Sequence, residues 1–580
     1  MKDPVIREIK DTKTELENFE KKELPKEKRD VQRLLADFPT VYIHKWKKSG
    51  DYEVYVGESN DIFQRTKQHY KKSTGASNWQ KNLLRKDASM YVIGHNHFNK
   101  SMTLDIENRL MHYMTSVEAV KRVHNGRGNP QKDYYPVEEL DAVFSRVWKG
   151  LRHLNRDLFP AESVVKDSAI YKASPFHKLT KGQEKAQCLI IERVMNALRK
   201  KKKEQLVFIE GEAGTGKTVL NSSTFYELYR QAETKKRKIS CYMLVNHDEQ
   251  ITVYQQIAEK TGLIEKYGQI VCKPTSFINS HSEAEPVDVV FVDEAHLLLT
   301  QGKQSYTGSN QLQDIIKRAR VTVVMFDENQ VLTTEQIWEA NILDAYRMKA
   351  KKEDNYIVLT DQLRMQAGPE VIDWIDSFTK DSTLKKIPKT LGGYQIKVFD
   401  KPEDMDVEIT KKAKDKKTAL SRMIATYDWE YSFIDDSIKR LAKYREVSIR
   451  KWHKPWNREL EKDLSIKDKR SIKGLAWAEQ PHTIKEVGST FTIQGFDLNY
   501  AGVILGPSVK FRDGKIVYDP KESCNRKAIR NRTLSDGTKQ KFGELLIQHE
   551  VRVLMTRGVN GLYIYACDDE LRNELLKKSK

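Results

Sequence analysis

The chain has 580 residues, of which 39% are hydrophobic and 32% charged, so roughly three or four domains with sizeable cores are expected. No run approaches the ~18 consecutive apolar residues of a membrane span, which argues against a membrane-spanning helix. The formal net charge is +19. This excess favours a polyanionic partner, most simply nucleic acid, over the alternative of a merely solvated basic surface.

Residues 1–36 mix acidic and basic side chains and lack the apolar centre of a signal peptide. We expect a charged N-terminal arm there. The five cysteines are scattered without C-x-x-C spacing, which indicates neither a zinc site nor a disulfide framework. A reducing, cytoplasmic location is therefore expected.

Residues 37–135 open with a hairpin signal, in which TVYIHKW and EVYVG flank an SGD turn. This pattern places Tyr42 and Tyr55 on facing strands and lets Gly57 provide a tight exit. Taken alone, the two tyrosines are also compatible with an ordinary hairpin core.

The helix predicted after this hairpin carries Arg65 and His69 four residues apart, so they share one face. In a later helix, TLDIENRLMHYM, Glu107 lies beside an apolar stripe, where a carboxylate is paired, strained or a ligand. Asn125 follows in the glycine-containing loop VHNGRGNPQ. Surface decoration and an ordinary helix glutamate are the alternatives.

Together these residues resemble the GIY-YIG endonuclease family over about residues 38–130. The second signature reads YVG, a common variant, whereas the first reads TVY in place of Gly-Ile-Tyr. That departure removes no catalytic group, and Arg65, Glu107 and Asn125 match the later motifs in order and rough spacing. The resemblance implies a small α+β nuclease domain.

The resemblance also implies roles for these side chains. Glu107 would bind one Mg²⁺ at the scissile phosphate, and Arg65 would neutralise the charge that develops there. Tyr42 would help to activate a water, with Tyr55 and His69 assisting proton transfer. A degenerate nuclease fold that only binds nucleic acid is the alternative.

A helical segment and connector over residues 136–177 are expected to set the reach between this domain and the next. From residue 178 the chain alternates short apolar runs, such as LVFIE, CYMLV, VVFVD and VTVVMF, with turn or helix signals. Such runs are typical of buried parallel strands.

The segment GEAGTGKT matches the P-loop pattern G-x-x-x-x-G-K-[ST], with Gly211, Gly214 and Gly216 as its glycines. Its backbone N–H groups are expected to face the phosphates of ATP. Lys217 adds a positive charge and Thr218 a hydroxyl for Mg²⁺.

Asp293 and Glu294 end the buried run VDVVFVDE. An acid at this position can hold the Mg²⁺ shell and its neighbour can orient the attacking water. An ordinary surface acid pair is the alternative.

Further polar signals follow the order of superfamily 1 helicase motifs, and the chain resembles the Schlafen-type DNA/RNA helicase domain over about residues 175–575. The residues that carry this resemblance are Gln183 in LTKGQ, Gln330 in FDENQ, Arg364 in DQLRMQ, Gln494 and Gly495 in TIQGFD, and Arg557 in LMTRG.

The helicase resemblance implies two RecA-like parallel-sheet domains, an ATP-binding one over residues 178–392 and a second over 393–580. Gln183 would read adenine and Gln330 would sense the γ-phosphate. Arg364 and Arg557 would stabilise charge on that phosphate in the transition state.

Nucleic-acid contacts are harder to place. The segment IRKWHKPWNR interleaves basic residues with Trp452 and Trp456, as base-stacking platforms do, although core tryptophans with basic neighbours fit equally well. Thr275, in KPTSF, occupies a position where superfamily 1 proteins touch the backbone.

The sequence thus predicts an α/β nuclease–helicase fusion that uses ATP and Mg²⁺ and binds nucleic acid, with DNA favoured over RNA. Tethering would raise the concentration of the nuclease where the motor acts. Its architecture suggests anti-phage defence or restriction, with repair and RNA processing equally compatible. Two other functions stay open: an ATP-switched binding protein, or an RNA-processing nuclease regulated by ATP.

Overall fold

The structure is a computed structural model. It describes residues 2–71, 78–125, 134–302, 306–360, 365–389, 393–431 and 443–580. Two compact units emerge, each of which is described by itself. The first comprises Met1–Thr180, Ser222–Lys238 and Val253–Val271, and the second comprises Lys181–Asn221, Ile239–Thr252 and Cys272–Lys580. Within the described ranges, every helix is too short or too polar to cross a membrane.

The first unit is built on a five-stranded mixed sheet. Its strands are β1 (Val5–Lys10), β2 (Thr40–Lys48), β3 (Asp51–Ser59), β4 (Ser89–Gly94) and β5 (Val120–Val123). They lie in the order β1-β4-β2-β3-β5, and the neighbours are antiparallel except for β3 and β5.

Helices pack on both faces of this sheet. They are α1 (Lys13–Asn18), α2 (Arg29–Ala36), α3 (Ile62–Tyr70), α4 (Lys100–Ser116), α5 (Leu140–Leu154), α6 (Glu162–Asp167) and α7 (Ala169–Ala173). Because successive side chains of a strand point to opposite faces, β2 serves two cores. Val41 and Ile43 pack into the core that contains α4 and α5, whereas Tyr42 and Trp46 pack into the core that contains α1 and α3.

The segment predicted to be a charged arm belongs to this fold. β1 pairs with β4 along its whole length, with Ile6 opposite Ile93. Leu16 and Phe19 are buried in the same core as Tyr42. The apolar residues that anchor the segment are diluted among charges, which is why composition alone suggested an arm.

The segment predicted to be a connector is also packed. Phe144, Trp148 and Phe159 lie in the core of the sheet, and the ring of Tyr171 stacks on His112 of α4 at 3.9 Å. The helices α5 to α7 therefore form a layer over α4 rather than a spacer.

The P-loop sequence lies in a six-stranded sheet. Its strands are β6 (Gln205–Gly211), β7 (Cys241–Val245), β8 (Val271–Cys272), β9 (Val287–Asp293), β10 (Ala319–Phe326) and β11 (Tyr356–Leu359). They lie in the order β11-β6-β10-β9-β7-β8, and β6, β7, β9, β10 and β11 are parallel to their neighbours. The α-helices of this stretch are α8 (Lys181–Arg199), α9 (Lys217–Thr234), α10 (Asp248–Lys260), α11 (Leu263–Tyr267), α12 (Pro274–Ser280), α13 (Gln311–Lys317), α14 (Ala340–Lys352) and α15 (Pro369–Thr379).

The C-terminal part of the second unit holds a second parallel sheet. Its strands come from β12 (Gln395–Val398), β13 (Arg422–Ala425), β14 (Glu446–Ile449), β15 (Trp452–Pro455), β16 (Val487–Gly488), β17 (Leu498–Leu505), β18 (Val509–Arg512), β19 (Lys515–Tyr518), β20 (Asn531–Thr533), β21 (Lys539–Lys541) and β22 (Gly558–Ala566). Five of these form the sheet β12-β22-β17-β13-β16, and the others pair as hairpins. The α-helices are α16 (Pro402–Lys414), α17 (Ile466–Ser471), α18 (Thr490–Ile493), α19 (Arg526–Ile529), α20 (Gly543–Met555) and α21 (Asp569–Lys578). Two parallel sheets with helices confirm the predicted α/β class for this part of the chain.

Candidate active sites

The P-loop joins β6 to α9 in a turn that depends on glycine. Gly214 and Gly216 have φ values of 90° and 75°, a region that glycine adopts without strain. A Cβ at Gly211 would lie 2.5 Å from Thr215 Oγ1, so the start of the loop has no room for a side chain. Lys217 Nζ donates to the Gly211 carbonyl at 2.6 Å. The loop is therefore compact, with its lysine turned inward.

Behind this lysine lies a buried acid that follows β10. Lys217 Nζ is 3.5 Å from Asp327 Oδ2, and Gln330 Nε2 donates to the same oxygen at 2.7 Å. Burial by itself raises the pKa of Asp327, but Lys217, His296, the Gln330 hydrogen bond and Arg552 together outweigh it and hold that pKa below its ordinary value. Sequence analysis missed Asp327, although it follows a buried strand just as Asp293 does.

Asp293 and Glu294 stand at the end of β9. Asp293 Oδ2 accepts from Gln250 Nε2 at 2.9 Å, and its Oδ1 accepts from the backbone N–H of Glu294 at 3.1 Å. Glu294 has a φ of 48°, an uncommon conformation for a residue with a side chain and one that functional sites often hold. Its Oε2 lies 3.2 Å from His296 Nε2.

These donors suit magnesium. Mg²⁺ prefers one or two carboxylates, a hydroxyl and phosphate oxygens over an all-protein cage. Asp293 is buried and accepts from an amide and a backbone N–H, and Thr218 is half-buried at the start of α9. Their chemistry fits the Mg²⁺ that accompanies ATP.

Arg557, from the second parallel sheet, reaches the same network. It is fully buried, and its Nη2 donates to Gln330 Oε1 at 3.1 Å. Gln494 Nε2 donates to the Gln330 carbonyl at 3.2 Å. Lys217, Asp327, Gln330 and Arg557 thus form one continuous line of polar contacts, which we call the P-loop relay.

Three other residues were predicted to take part in ATP binding or hydrolysis. Gln183 Nε2 lies 3.3 Å from the Thr215 carbonyl, next to the P-loop. Gly495 has a φ of 86°, which suits glycine. Arg364 lies outside the described residues.

Arg552, on α20, is a further contact that sequence analysis missed. Its Nη2 donates to Glu212 Oε2 of the P-loop at 2.7 Å, and its Nε donates to Asp376 Oδ1 at 2.9 Å. A buried arginine on the apolar face of a helix is the signal that could have found it.

The tryptophans of IRKWHKPWNR do not form a stacking platform. Trp452 is 7% exposed and Trp456 0%, and both lie in the core of the second sheet. This corrects the stacking interpretation, because a buried ring offers no face to a base. Thr275 is half-buried and its hydroxyl accepts from Gln311 Nε2 at 2.9 Å.

A different aromatic side chain of this region is exposed. Phe491, three residues before Gln494, is 43% exposed. Lys527 Nζ lies 5.5 Å from the centre of its ring. Proteins that bind single-stranded nucleic acid often combine an exposed ring, on which a base stacks, with a cation that contacts phosphate.

The predicted residues of the first unit come from both layers that flank its sheet: Tyr42, Tyr55, Arg65 and His69 belong with the α3 layer, and Glu107 lies on α4 in the other layer. Tyr42 lies opposite Gly57 in the β2–β3 ladder, and a Cβ at Gly57 would lie 2.5 Å from Tyr42 Oη. Gly57 therefore lies within β3, where a side chain would collide with the Tyr42 ring. The expected role of Gly57 in a tight turn after the strand is wrong. Tyr42 Oη lies 3.0 Å from His69 Nε2, and Arg65 is close enough to Tyr42 and Tyr55 that both tyrosines raise the pKa of its guanidinium.

Burial shapes the protonation of these groups. It raises the pKa of Tyr42 well above its ordinary value, with Tyr55 adding to the effect and Arg65 opposing it. Burial, together with the electrostatic effects of His44 and Arg65, lowers the pKa of His69 to about 3. At neutral pH the tyrosine is a phenol and the histidine is neutral, so Tyr42 donates to His69.

Glu107 and Asn125 form the other half of the cluster. Asn125 Nδ2 donates to Glu107 Oε1 at 2.6 Å and to the Val56 carbonyl of β3 at 2.7 Å. Glu107 is close enough to Tyr42 to affect its pKa. We call Tyr42, Tyr55, Arg65, His69, Glu107 and Asn125 the front site.

The front site holds one carboxylate, and no group of three or more histidine, cysteine or acidic side chains forms a metal cage within the described ranges. A single carboxylate is compatible with Mg²⁺ that takes its other ligands from phosphate and water. Trp79, which sequence analysis missed, stacks on Tyr55 at 3.8 Å and covers the site.

Comparison with known proteins identifies the larger part of the chain. Residues 204–568 match Schlafen group 3, DNA/RNA helicase domain. The chain is also 31% identical over 472 residues to the uncharacterized protein YPL245W of Saccharomyces cerevisiae, an alignment that covers 74% of this chain and 98% of that protein. The family match does not include the front site, whose nuclease resemblance remains a prediction.

Two solved Pif1 helicase structures are also similar, each at 15% identity with a TM-score of 0.20. One shows Pif1 helicases unwinding forked double-stranded DNA and matches 43% of this chain and 55% of its own. The other, Pif1 from Candida albicans, matches 41% and 54%. This chain thus spans about half the length of those structures. The helicase half of the predicted resemblance is confirmed by the family match: the chain belongs to the Schlafen group 3 DNA/RNA helicase domain family.

Proposed function

We propose that this protein is an ATP-dependent nucleic-acid motor that carries a Mg²⁺-dependent endonuclease in its first unit. The observation that carries the nuclease half is the front site, where Tyr42 Oη lies 3.0 Å from His69 Nε2, Asn125 donates to Glu107 at 2.6 Å, and Arg65 and Glu107 both influence the pKa of Tyr42. The P-loop relay supports the motor half. A cytoplasmic location is part of the proposal.

In the motor, Lys217 is the group that ATP would redirect. The lysine now contacts the P-loop carbonyls and lies 3.5 Å from Asp327. A γ-phosphate would compete with Asp327 for this charge, and Gln330 would pass the change to Arg557. Arg557 would stabilise the charge that develops during hydrolysis, while Glu294 would orient the water.

Thr218 and Asp293 would hold the magnesium ion, which offsets phosphate charge when bound. Phe491 and Lys527 would meet the strand that the motor moves along. DNA is favoured over RNA in this proposal, and the assays below compare the two directly.

In the nuclease, the phosphodiester repels nucleophiles because it is negatively charged. Arg65 would offset that charge, and Glu107 would hold a magnesium ion that supplies further positive charge when bound. The attacking water would give its proton to Tyr42 Oη as Tyr42 passes its own proton to His69 Nε2. Since burial makes a tyrosinate unfavourable, this transfer has to be concerted.

One set of assays tests both halves. Wild type, Lys217→Ala and Glu107→Ala would be compared on labelled single- and double-stranded DNA and RNA, with and without ATP and Mg²⁺. We expect Lys217→Ala to lose ATP turnover, and Glu107→Ala to lose cleavage while it keeps ATP turnover. Cleavage by Glu107→Ala at the wild-type rate would contradict the nuclease assignment.

The same assays separate the other functions. An ATP-switched binding protein would bind nucleic acid in both variants without cutting it. An RNA-processing enzyme would cut structured RNA only and hydrolyse ATP without displacing a strand. Anti-phage defence or restriction fits the fusion of motor and nuclease by architecture alone.

A further inference from the structure

A buried acid–histidine pair lies beside the front site and has no part in the mechanism above. Asp11 follows β1, and His44 lies in β2 next to Tyr42; both are fully buried. Asp11 Oδ2 lies 2.6 Å from His44 Nδ1, and Asp11 Oδ1 accepts from the Tyr70 hydroxyl at 2.5 Å. One carboxylate therefore holds two side chains.

The other nitrogen of His44 is the unusual feature. His44 Nε2 is buried, and within the described ranges it makes no hydrogen bond. Buried polar atoms normally find a partner, because leaving one unpaired costs stability. The groups around this ring are those of the front site: Tyr42 at 5.3 Å, His69 at 5.8 Å and Tyr55 at 6.1 Å between ring centres.

The Asp11 contact fixes the state of His44. A carboxylate on Nδ1 keeps the proton on that nitrogen and leaves a lone pair on Nε2. The ionised state of Asp11 is favoured in turn: burial raises its pKa, but His44, Tyr70 and His69 together lower it below the ordinary value. Asp11 therefore holds a negative charge behind the rings, with His44 between it and His69.

We propose that Asp11 and His44 are positioning residues of the nuclease centre, in which the Asp11 charge, held in place by His44, stabilises the imidazolium that forms on His69. This inference rests on the proposed nuclease function. The charged and titratable groups that face His69 are Arg65 and His44, which disfavour the imidazolium, Asp11, which favours it, and the tyrosines Tyr42 and Tyr55.

The protons balance without any added reactant. Water loses one proton to Tyr42 Oη as its oxygen bonds to phosphorus, and Tyr42 loses one to His69 Nε2. The P–O ester bond breaks with its electron pair on the leaving oxygen. That oxygen regains a proton as His69 and Tyr42 return to their starting states. Asp11 stays ionised and His44 keeps its Nδ1 proton throughout.

The variant Asp11→Asn tests this with almost no change in volume. An amide that accepts from Tyr70 through its oxygen must present N–H groups to His44 Nδ1, which forces the proton onto Nε2 and removes the negative charge. We expect kcat for cleavage to fall about 10- to 100-fold with KM unchanged. ATP turnover should stay at the wild-type rate.

Tyr70→Phe is the matched control. It removes the other hydrogen bond to the same carboxylate but keeps the charge and the His44 contact, so kcat should stay within about threefold of wild type. Nitrogen-15 NMR of labelled histidine reads the tautomer directly. We expect His44 to be protonated on Nδ1 in wild type and Tyr70→Phe, and on Nε2 in Asp11→Asn.

Each outcome decides something. If Glu107→Ala abolishes cleavage while Asp11→Asn cuts at the wild-type rate, this inference alone fails. If Asp11→Asn and Tyr70→Phe lower kcat equally and in proportion to lost thermal stability, the pair is structural and the inference is overturned. If wild-type protein cuts no nucleic acid, the proposed function fails and this inference fails with it.

Discussion

The P-loop relay and the front site are both buried polar networks, but they are built from different material. The relay joins full charges, Lys217 and Asp327 from the six-stranded sheet and Arg557 from beside the second sheet, which meet through one glutamine. The front site joins mostly neutral rings and amides around one sheet, with Arg65 and Glu107 as its charges. In the proposed motor, charges that pair across sheets would exchange partners when ATP binds. In the proposed nuclease, rings that are held between strands and helices would already be in place for chemistry.

The relay depends most on Arg557, and replacing it should have the largest effect. Arg557→Ala should lower ATP turnover by about 10³-fold, because the charge that stabilises the transition state is lost. Steady-state ATPase assays measure this. Cleavage in the absence of ATP should be unchanged. Equal loss of both activities would mean that the two centres are not separate, and Arg557→Lys would show whether a charge alone suffices.

The stability of the first unit should decrease in acid. Burial lowers the pKa of His177 to about 4, and both His177 and His112 donate to the Tyr171 carbonyl. The pKa of His177 is lower in the folded than in the unfolded state. The contribution of His177 to stability is therefore fully present above about pH 6.5 and is lost as the pH drops toward 4. At about 1.4 kcal/mol per unit, His177 alone accounts for about 3 kcal/mol.

Urea unfolding at pH 7 and pH 4.5 checks this. His177→Gln should reduce the difference in the free energy of unfolding between pH 7 and pH 4.5. His153→Gln, a change at an exposed histidine, should leave that difference unchanged. An unchanged difference in His177→Gln would contradict the assignment.

Gly57→Ala should break the front site without touching the relay. The added Cβ would lie 2.5 Å from Tyr42 Oη, so the ring must move away from Arg65 and His69. A shift of about 1 Å in a positioned group can cost about 10²-fold in rate. We expect this loss in nucleic-acid cleavage with ATP turnover retained. Wild-type cleavage by this variant would show that Tyr42 does not need its present position.

Phe491→Ala should have the smallest of these effects. Loss of one stacking ring should lower affinity for single-stranded nucleic acid by about 1 kcal/mol, the low end of the range for base stacking, or roughly fivefold. Fluorescence anisotropy with labelled oligonucleotides measures it. Trp452→Phe is the control, because that ring is buried and its replacement should leave affinity unchanged. The opposite result would restore the stacking interpretation of the tryptophans.

Sequence analysis predicted which residues lie together where the pattern is local. Gly214, Gly216 and Lys217 lie in one short loop, and Tyr42, Arg65 and His69 lie in one hairpin and the helix after it. It failed where contacts join distant segments. Asp11 reaches the front site because β1 pairs with β4, a non-local pairing hidden in a charged stretch. Arg552 was missed because periodicity indicates burial but not the partner, and for Trp456 the sequence left a stacking platform and a core position equally open.

The edge position of β1 has a practical consequence for handling this protein. Deleting residues 2–11 would expose the hydrogen-bonding groups of β4, and an unprotected strand edge invites pairing with another chain. The same deletion would remove Asp11 and uncover the apolar surface around Leu16. A shortened version should therefore aggregate. An affinity tag at this end needs a spacer that leaves β1 free to pair.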